Sequence, residues 1–107
     1  MPPQERGEPL PAGVLSEVEA VLRDRLDQPP AGSYSATLLG DPELASRKIM
    51  EEAFELCLEL GRRGADTPDR RRVAEEAADV LFHVLAGIVG AGVSLQDVFA
   101  ELEARRG

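Results

Sequence analysis

Three observations predict an all-α protein, an antiparallel bundle of helices. Apolar residues return at helical spacing along most of the chain. Helix start and stop signals bracket those stretches. No segment alternates apolar and polar as a strand does. The chain has 107 residues, enough for one domain, expected over residues 14–107 after a leader over 1–13.

The leader holds Pro2, Pro3, Pro9, Pro11, Gly7 and Gly13, a composition that predicts disorder. Leu15, Val18, Leu22 and Leu26 recur every three or four residues and predict a first helix over 14–26. Gln28-Pro29-Pro30-Ala31-Gly32 ends it in a loop. Ser33 to Gly40 is short, one or two helical turns closed by Gly40. Asp41-Pro42-Glu43 then combines a capping acceptor, a proline where no N–H is needed, and an acid at the positive end of a helix dipole. The helix it opens is expected to reach Arg63, with Arg62 and Arg63 at its negative end and Gly64 beyond. After Ala65-Asp66, Thr67-Pro68-Asp69 repeats that start signal for a helix over 68–91, stopped by Gly92. Ser94-Leu95-Gln96-Asp97 resembles a capping box with Asp in place of Glu and opens a last helix to Ala104. The two long helices are joined by a short loop, so they are expected to pack antiparallel.

Composition narrows the function. Acidic residues number 20 and basic residues 12, a formal net charge of −8. That argues against nucleic acid or an anionic membrane as partner, since both need a basic face. No stretch reaches the roughly 18 apolar residues of a bilayer span, and the N-terminus lacks the apolar core of a signal peptide. The protein is therefore expected in the cytoplasm. An acidic site still accepts a polyphosphate when divalent cations lie between the two. Aromatic residues make up 4% of the chain and Trp is absent, so the core is a thin aliphatic one. Such a core grows by association, and at least a dimer is expected. The one cysteine, Cys57, forms no disulfide within the chain and is expected as a small core hydrophobe.

The chemistry-bearing residues lie on the two long helices. On a wheel of about 100° per residue, Lys48, Glu51, Glu52, Glu55 and Glu59 share an arc of about 100°. Like charges at these spacings repel, and a solvated outer face is the plain explanation of such a stripe. The next helix changes the balance. Residues 73–91 are apolar or small nearly all round, so burial nearly all round is expected. Yet Glu76, Asp79 and His83 share one of its faces. Buried carboxylates pair, protonate or bind metal. Arg72–Glu76 and Asp79–His83 ion pairs are one way to satisfy them. The other joins the helices: Glu52 with Glu55, and Glu76 with Asp79, each three apart, bring four carboxylates to one spot when the helices pack antiparallel. Hard oxygen ligands suit Mg²⁺ or Mn²⁺ rather than zinc. No Glu-x-x-His is present, so the di-iron bundle pattern is absent, and no P-loop or dinucleotide-binding glycine motif occurs.

Glu51-Glu52-Ala53-Phe54-Glu55, twenty residues, then Glu76-Ala77-Ala78-Asp79 resembles the EExxE…ExxD signature of the MazG-type all-α nucleotide pyrophosphohydrolases. Ser33-Tyr34-Ser35-Ala36-Thr37-Leu38-Leu39, Lys48-Ile49-Met50-Glu51-Glu52-Ala53, Glu76 to His83 and Val93 to Val98 together resemble the phosphoribosyl-ATP pyrophosphohydrolase family of histidine biosynthesis. The likeness covers about residues 14–105. Two positions depart from it: Thr37 stands where the family has Lys, and Met50 where it has Gly.

The resemblance implies Mg²⁺-dependent hydrolysis of phosphoribosyl-ATP to phosphoribosyl-AMP and pyrophosphate, by a homodimer with interleaved helices. Glu52, Glu55, Glu76 and Asp79 are then the expected metal ligands, and Glu51 orients or deprotonates the attacking water. Lys48 reaches the pyrophosphate leaving group, or pairs with Glu52. Ser33, Tyr34 and His83 are candidate substrate contacts, His83 with Asp79 as its expected partner. Arg70-Arg71-Arg72 is either a solvated face or a phosphate attractor. Two rival functions use the same residues differently: a house-cleaning pyrophosphohydrolase of ordinary or damaged nucleotides, and a non-catalytic dimerisation module whose acids only pair.

Overall fold

A computed structural model describes residues 13–62 and 69–107. Among the described residues there are five helices and no strand: α1 (Val14–Asp27), α2 (Tyr34–Leu39), α3 (Pro42–Leu60), α4 (Arg70–Gly90) and α5 (Leu95–Arg106). The predicted all-α class is what the chain adopts.

The caps explain where each element begins. Asp41 accepts the Leu44 N–H at 3.0 Å, with Pro42 in the first turn. The box at α5 is complete: Ser94 Oγ accepts the Asp97 N–H at 3.1 Å and Asp97 accepts the Ser94 N–H at 3.4 Å. Asp's shorter side chain therefore closes the motif as Glu would. α4 starts later than expected. Its cap is Asp69, which accepts the N–H groups of Arg71 and Arg72 at 2.9 and 3.4 Å. Thr67 and Pro68, where the start was expected, lie outside the described residues, as do residues 1–12 of the leader expected over 1–13.

The ends follow the glycines. α3 stops at Leu60, with Gly61 as C-cap and its N–H on the Cys57 carbonyl. Glycine's conformational freedom disfavours continuing the helix there, so the expected extension to Arg63 falls short; Arg63 and Gly64 lie outside the described residues. At the end of α4, Gly92 takes φ +80°. Val93 N–H then reaches Ile88 O at 2.9 Å and Gly92 N–H reaches Val89 O at 3.0 Å, the paired closure of a Schellman turn.

α3 and α4 are antiparallel. Arg72, early in α4, lies 3.7 Å from Glu59, late in α3, while Gly87, late in α4, faces Ala45 and Ile49. α2 packs against α1, α3 and α4. The core is Leu22, Leu38, Leu39, Leu85, Ala86, Val89 and Leu95, aliphatic as predicted. A Cβ on Gly90 would sit 2.9 Å from the Leu39 carbonyl oxygen, so α4 crosses α2 at a distance only glycine permits. Glu19 ties α1 to α5: its carboxylate accepts the Leu95 N–H at 2.8 Å and pairs with Arg23 at 3.0 Å.

Two burial expectations fail together. α4 is not covered nearly all round: its buried residues are His83, Leu85, Ala86 and Val89, while Ala74, Ala78 and Leu81 are exposed. Cys57 is exposed as well, on a side of α3 that also exposes Met50 (67%), Phe54 (61%) and Leu58 (53%). The reason is supply. The described elements of one chain cover the half of the α3–α4 pair nearest α2 and leave the other half's apolar side chains in water.

Candidate metal centre

Antiparallel packing sets α3 and α4 side by side along their lengths, and i,i+3 spacing aims carboxylates from each toward the seam. Glu52 on α3 and Glu76 and Asp79 on α4 each offer an oxygen, and these atoms lie within 4.8 Å of one another. Glu52 and Glu76 are half-buried and Asp79 is exposed. Three carboxylate oxygens at this separation, from two packed helices, form a candidate site for a divalent cation that prefers hard oxygen ligands. Glu55, expected as a fourth ligand, stands on exposed surface outside this group.

The pairs around the cluster differ from those expected. Lys48 Nζ donates to Glu51 Oε1 at 3.2 Å, so its partner is Glu51 and not Glu52. That bond, with the Glu51 charge behind it, raises the Lys48 pKa; Tyr34 and Glu52 add smaller contributions. Lys48, Glu51, Glu52 and Tyr34 therefore share one neighbourhood. His83 is buried, although Glu76 and Asp79 on the same face are half-buried and exposed. Its Nδ1 lies 2.7 Å from the backbone carbonyl of Asp79, and its Nε2 lies 3.0 Å from Tyr34 Oη. The expected Asp79–His83 pair thus uses the peptide oxygen one turn back, and the Asp79 carboxylate stays available to the cluster. Ser33 caps α2 through the Ala36 N–H and so fixes where Tyr34 begins the helix.

Arg72 bonds as expected and further. It reaches Glu76 at 3.4 Å and Glu59 at 3.7 Å. Glu59, placed by the helical wheel on a solvated stripe, is only 4% exposed and also receives Arg62 at 3.1 Å. Two guanidinium groups satisfy this carboxylate, which removes it from the acids available to a cation. The wheel could not separate Glu59 from Glu52, because it carries no information about which residues of α4 lie opposite each. Arg71 pairs with Glu75 at 3.2 Å on the surface. Another contact had no sequence signal at all: Arg25 Nη1 donates to the buried Ser35 Oγ at 2.8 Å, and Ser35 lies 3.1 Å from Ser33 Oγ.

Comparison with known proteins places the chain among relatives of one kind. Residues 15–106 match the family described as phosphoribosyl-ATP pyrophosphohydrolase. The phosphoribosyl-ATP pyrophosphatase of Pyrobaculum arsenaticum is 43% identical over 95 residues, 87% of this chain and 95% of its own length. That of Caulobacter vibrioides is 42% identical over 94 residues, 88% of this chain and 83% of its own. The histidine biosynthesis bifunctional protein his7 of Schizosaccharomyces pombe is 40% identical over 92 residues, 86% of this chain but only 20% of that longer protein. With nearly its whole length matched and the carboxylates of its two signature segments meeting across one helix seam, this chain belongs to the phosphoribosyl-ATP pyrophosphohydrolase family.

Proposed function

We propose that the chain hydrolyses phosphoribosyl-ATP between its α- and β-phosphates, releasing pyrophosphate and phosphoribosyl-AMP in the second step of histidine biosynthesis, with Mg²⁺ as the resident cation and Mn²⁺ as a substitute. The observation that carries this reading is the meeting of Glu52, Glu76 and Asp79 within 4.8 Å in a chain of this family.

Glu52, Glu76 and Asp79 would hold the cation, and Glu55, exposed one turn further along α3 and outside that group, would have to turn toward it to act as the fourth ligand. When bound, the metal supplies neutralisation of phosphate charge at the acidic seam. The chain's own residues supply position and protons. Glu51 orients the attacking water and takes its proton. Lys48, paired with Glu51 at 3.2 Å, stands by the departing pyrophosphate and offsets the charge that accumulates there. Ser33, Tyr34 and His83 line the substrate's path, with Tyr34 and His83 fixed against each other.

The exposed apolar side chains of α3 and α4 support a homodimer. Met50, Phe54, Leu58 and Leu81 are each more than half exposed, a contiguous cost in water that a second copy of this chain relieves. Met50, where the family has Gly, extends that face. The net charge of −8 disfavours nucleic acid and anionic membranes. No single helix among the described residues is long and apolar enough to cross a bilayer. The enzyme's place is the cytoplasm.

The test is pyrophosphate release with Mg²⁺ present, from phosphoribosyl-ATP and from a panel of nucleoside triphosphates, with Glu52→Gln as control. Release from phosphoribosyl-ATP alone, reduced at least about 100-fold in the variant, is the expected result. Preference for an ordinary nucleotide would move the chain to house-cleaning chemistry, and no release from any of them would leave a dimerisation module.

A further inference from the structure

Arg25 lies in the last turn of α1, and nothing in the reaction as described above uses it. It is half-buried, it donates through Nη1 to Ser35 Oγ at 2.8 Å, and it pairs with no carboxylate among the described residues. A guanidinium carries five donors in a rigid fork. One is spent on a neutral hydroxyl, which leaves its charge unmatched in a protein with 20 acidic residues.

Its support is built. Ser35 is 5% exposed and is itself 3.1 Å from Ser33 Oγ, and Ser33 caps the helix that Tyr34 starts. Tyr34 in turn reaches His83, whose ring is held by the backbone of Asp79. A bonded path therefore runs from Arg25 on α1, through the Ser33–Ser35 turn, to the carboxylate seam of α3 and α4. The other cations near the seam already face carboxylates: Lys48 faces Glu51, and Arg72 faces Glu59 and Glu76.

Phosphoribosyl-ATP carries anions at two ends. The triphosphate belongs to the metal cluster. The phosphomonoester of the phosphoribosyl arm is a separate dianion, and it is what distinguishes this substrate from ATP. We infer that Arg25, braced by Ser35, binds that phosphomonoester and so sets the preference for phosphoribosyl-ATP over ATP. A planar fork suits phosphate oxygens better than an ammonium does. This inference rests on the substrate proposed above.

A purely structural role, a cation near the end of a helix dipole tethering the proline loop, predicts something different, and kinetics separate the two. In Arg25→Met, KM for phosphoribosyl-ATP should rise at least about tenfold, the loss of a charged hydrogen bond, while kcat changes by less than about threefold. Competitive inhibition by ATP, which lacks the arm, should be unchanged. Arg25→Lys should recover part of the loss. If Arg25→Met fails to fold, Arg25→Lys carries the test: a raised KM with an unchanged melting midpoint supports the assignment. Ser35→Ala, which leaves the cation but removes its brace, should give a smaller rise in KM. An unchanged KM, or an equal weakening of phosphoribosyl-ATP and ATP, overturns the role of Arg25 while leaving the reaction in place. A wild-type enzyme that does not turn over phosphoribosyl-ATP overturns both.

Discussion

At the residue scale, three carboxylates with oxygens within 4.8 Å repel one another, and Arg72, 3.4 Å from Glu76, offsets only part of that. This gives a test independent of activity. Millimolar Mg²⁺ should raise the thermal midpoint of the wild-type protein, by about 1.4 kcal/mol of stability at ten times the dissociation constant. Asp79→Asn should keep or slightly raise the metal-free midpoint, because it relieves repulsion, and should lose most of the response to Mg²⁺. An equal response in both proteins would place the cation elsewhere. The identity of these acids was legible in the sequence because i,i+3 spacing on a helix is a geometric fact. The partners of Glu59 and His83 were not. Each is settled by what lies across a helix seam or by a backbone oxygen one turn back, and neither is a property of side-chain spacing.

At the scale of the element, two joints carry the assembly of helices. Glu19 accepts the Leu95 N–H at the start of α5, and that bond first, then Arg23, lowers its pKa. A carboxylate whose folded pKa is depressed contributes stability that is fully present above its unfolded value, about 4.3, and that is lost as pH falls through the folded value. Glu19→Ala should therefore cost about 1–2 kcal/mol near neutral pH, the value of a hydrogen bond to a charged group. The difference between variant and wild type should shrink below that unfolded value, as read by urea melts across an acid series. A difference that stays constant with pH would mean that packing, not charge, holds the joint. The second joint is Gly90. Alanine is the better helix former by about 1 kcal/mol, but its Cβ would meet the Leu39 carbonyl at 2.9 Å, and a backbone atom cannot swing aside. Gly90→Ala should lose about 1–2 kcal/mol net in the same melts; a gain would show that α2 yields. Caps at Asp41, Ser94 and Gly92 were readable because each is a local signal. The crossing at Gly90 was not, since a glycine chosen for closeness looks in sequence like a glycine chosen for a stop.

For the whole molecule, the exposed apolar face is the main departure from what periodicity implied. The run over 73–91 is apolar enough to be buried all round, and the described residues of one chain bury only part of it. The sequence pattern reads how apolar the helix is, whereas burial depends on what packs against it, and periodicity carries no information on that. Phe54→Glu puts a charge in the middle of that face. Equilibrium sedimentation should give two copies for the wild type at micromolar concentration and one for the variant, with helix content kept. A wild-type protein that sediments as a single chain would end the dimer reading.

The bonds at His83 also have a direction. A carbonyl oxygen only accepts, so Nδ1 carries a hydrogen facing Asp79 O. In the tautomer with hydrogen on Nδ1 alone, Nε2 offers a lone pair and the Tyr34 hydroxyl donates to it across 3.0 Å. What Tyr34 turns outward is then a pair of electrons. A ribose hydroxyl or an amino group of the base can answer it, whereas a phosphate oxygen would be turned away. For the substrate proposed above, that tautomer would favour sugar or base toward Tyr34 and leave the phosphates to the cations.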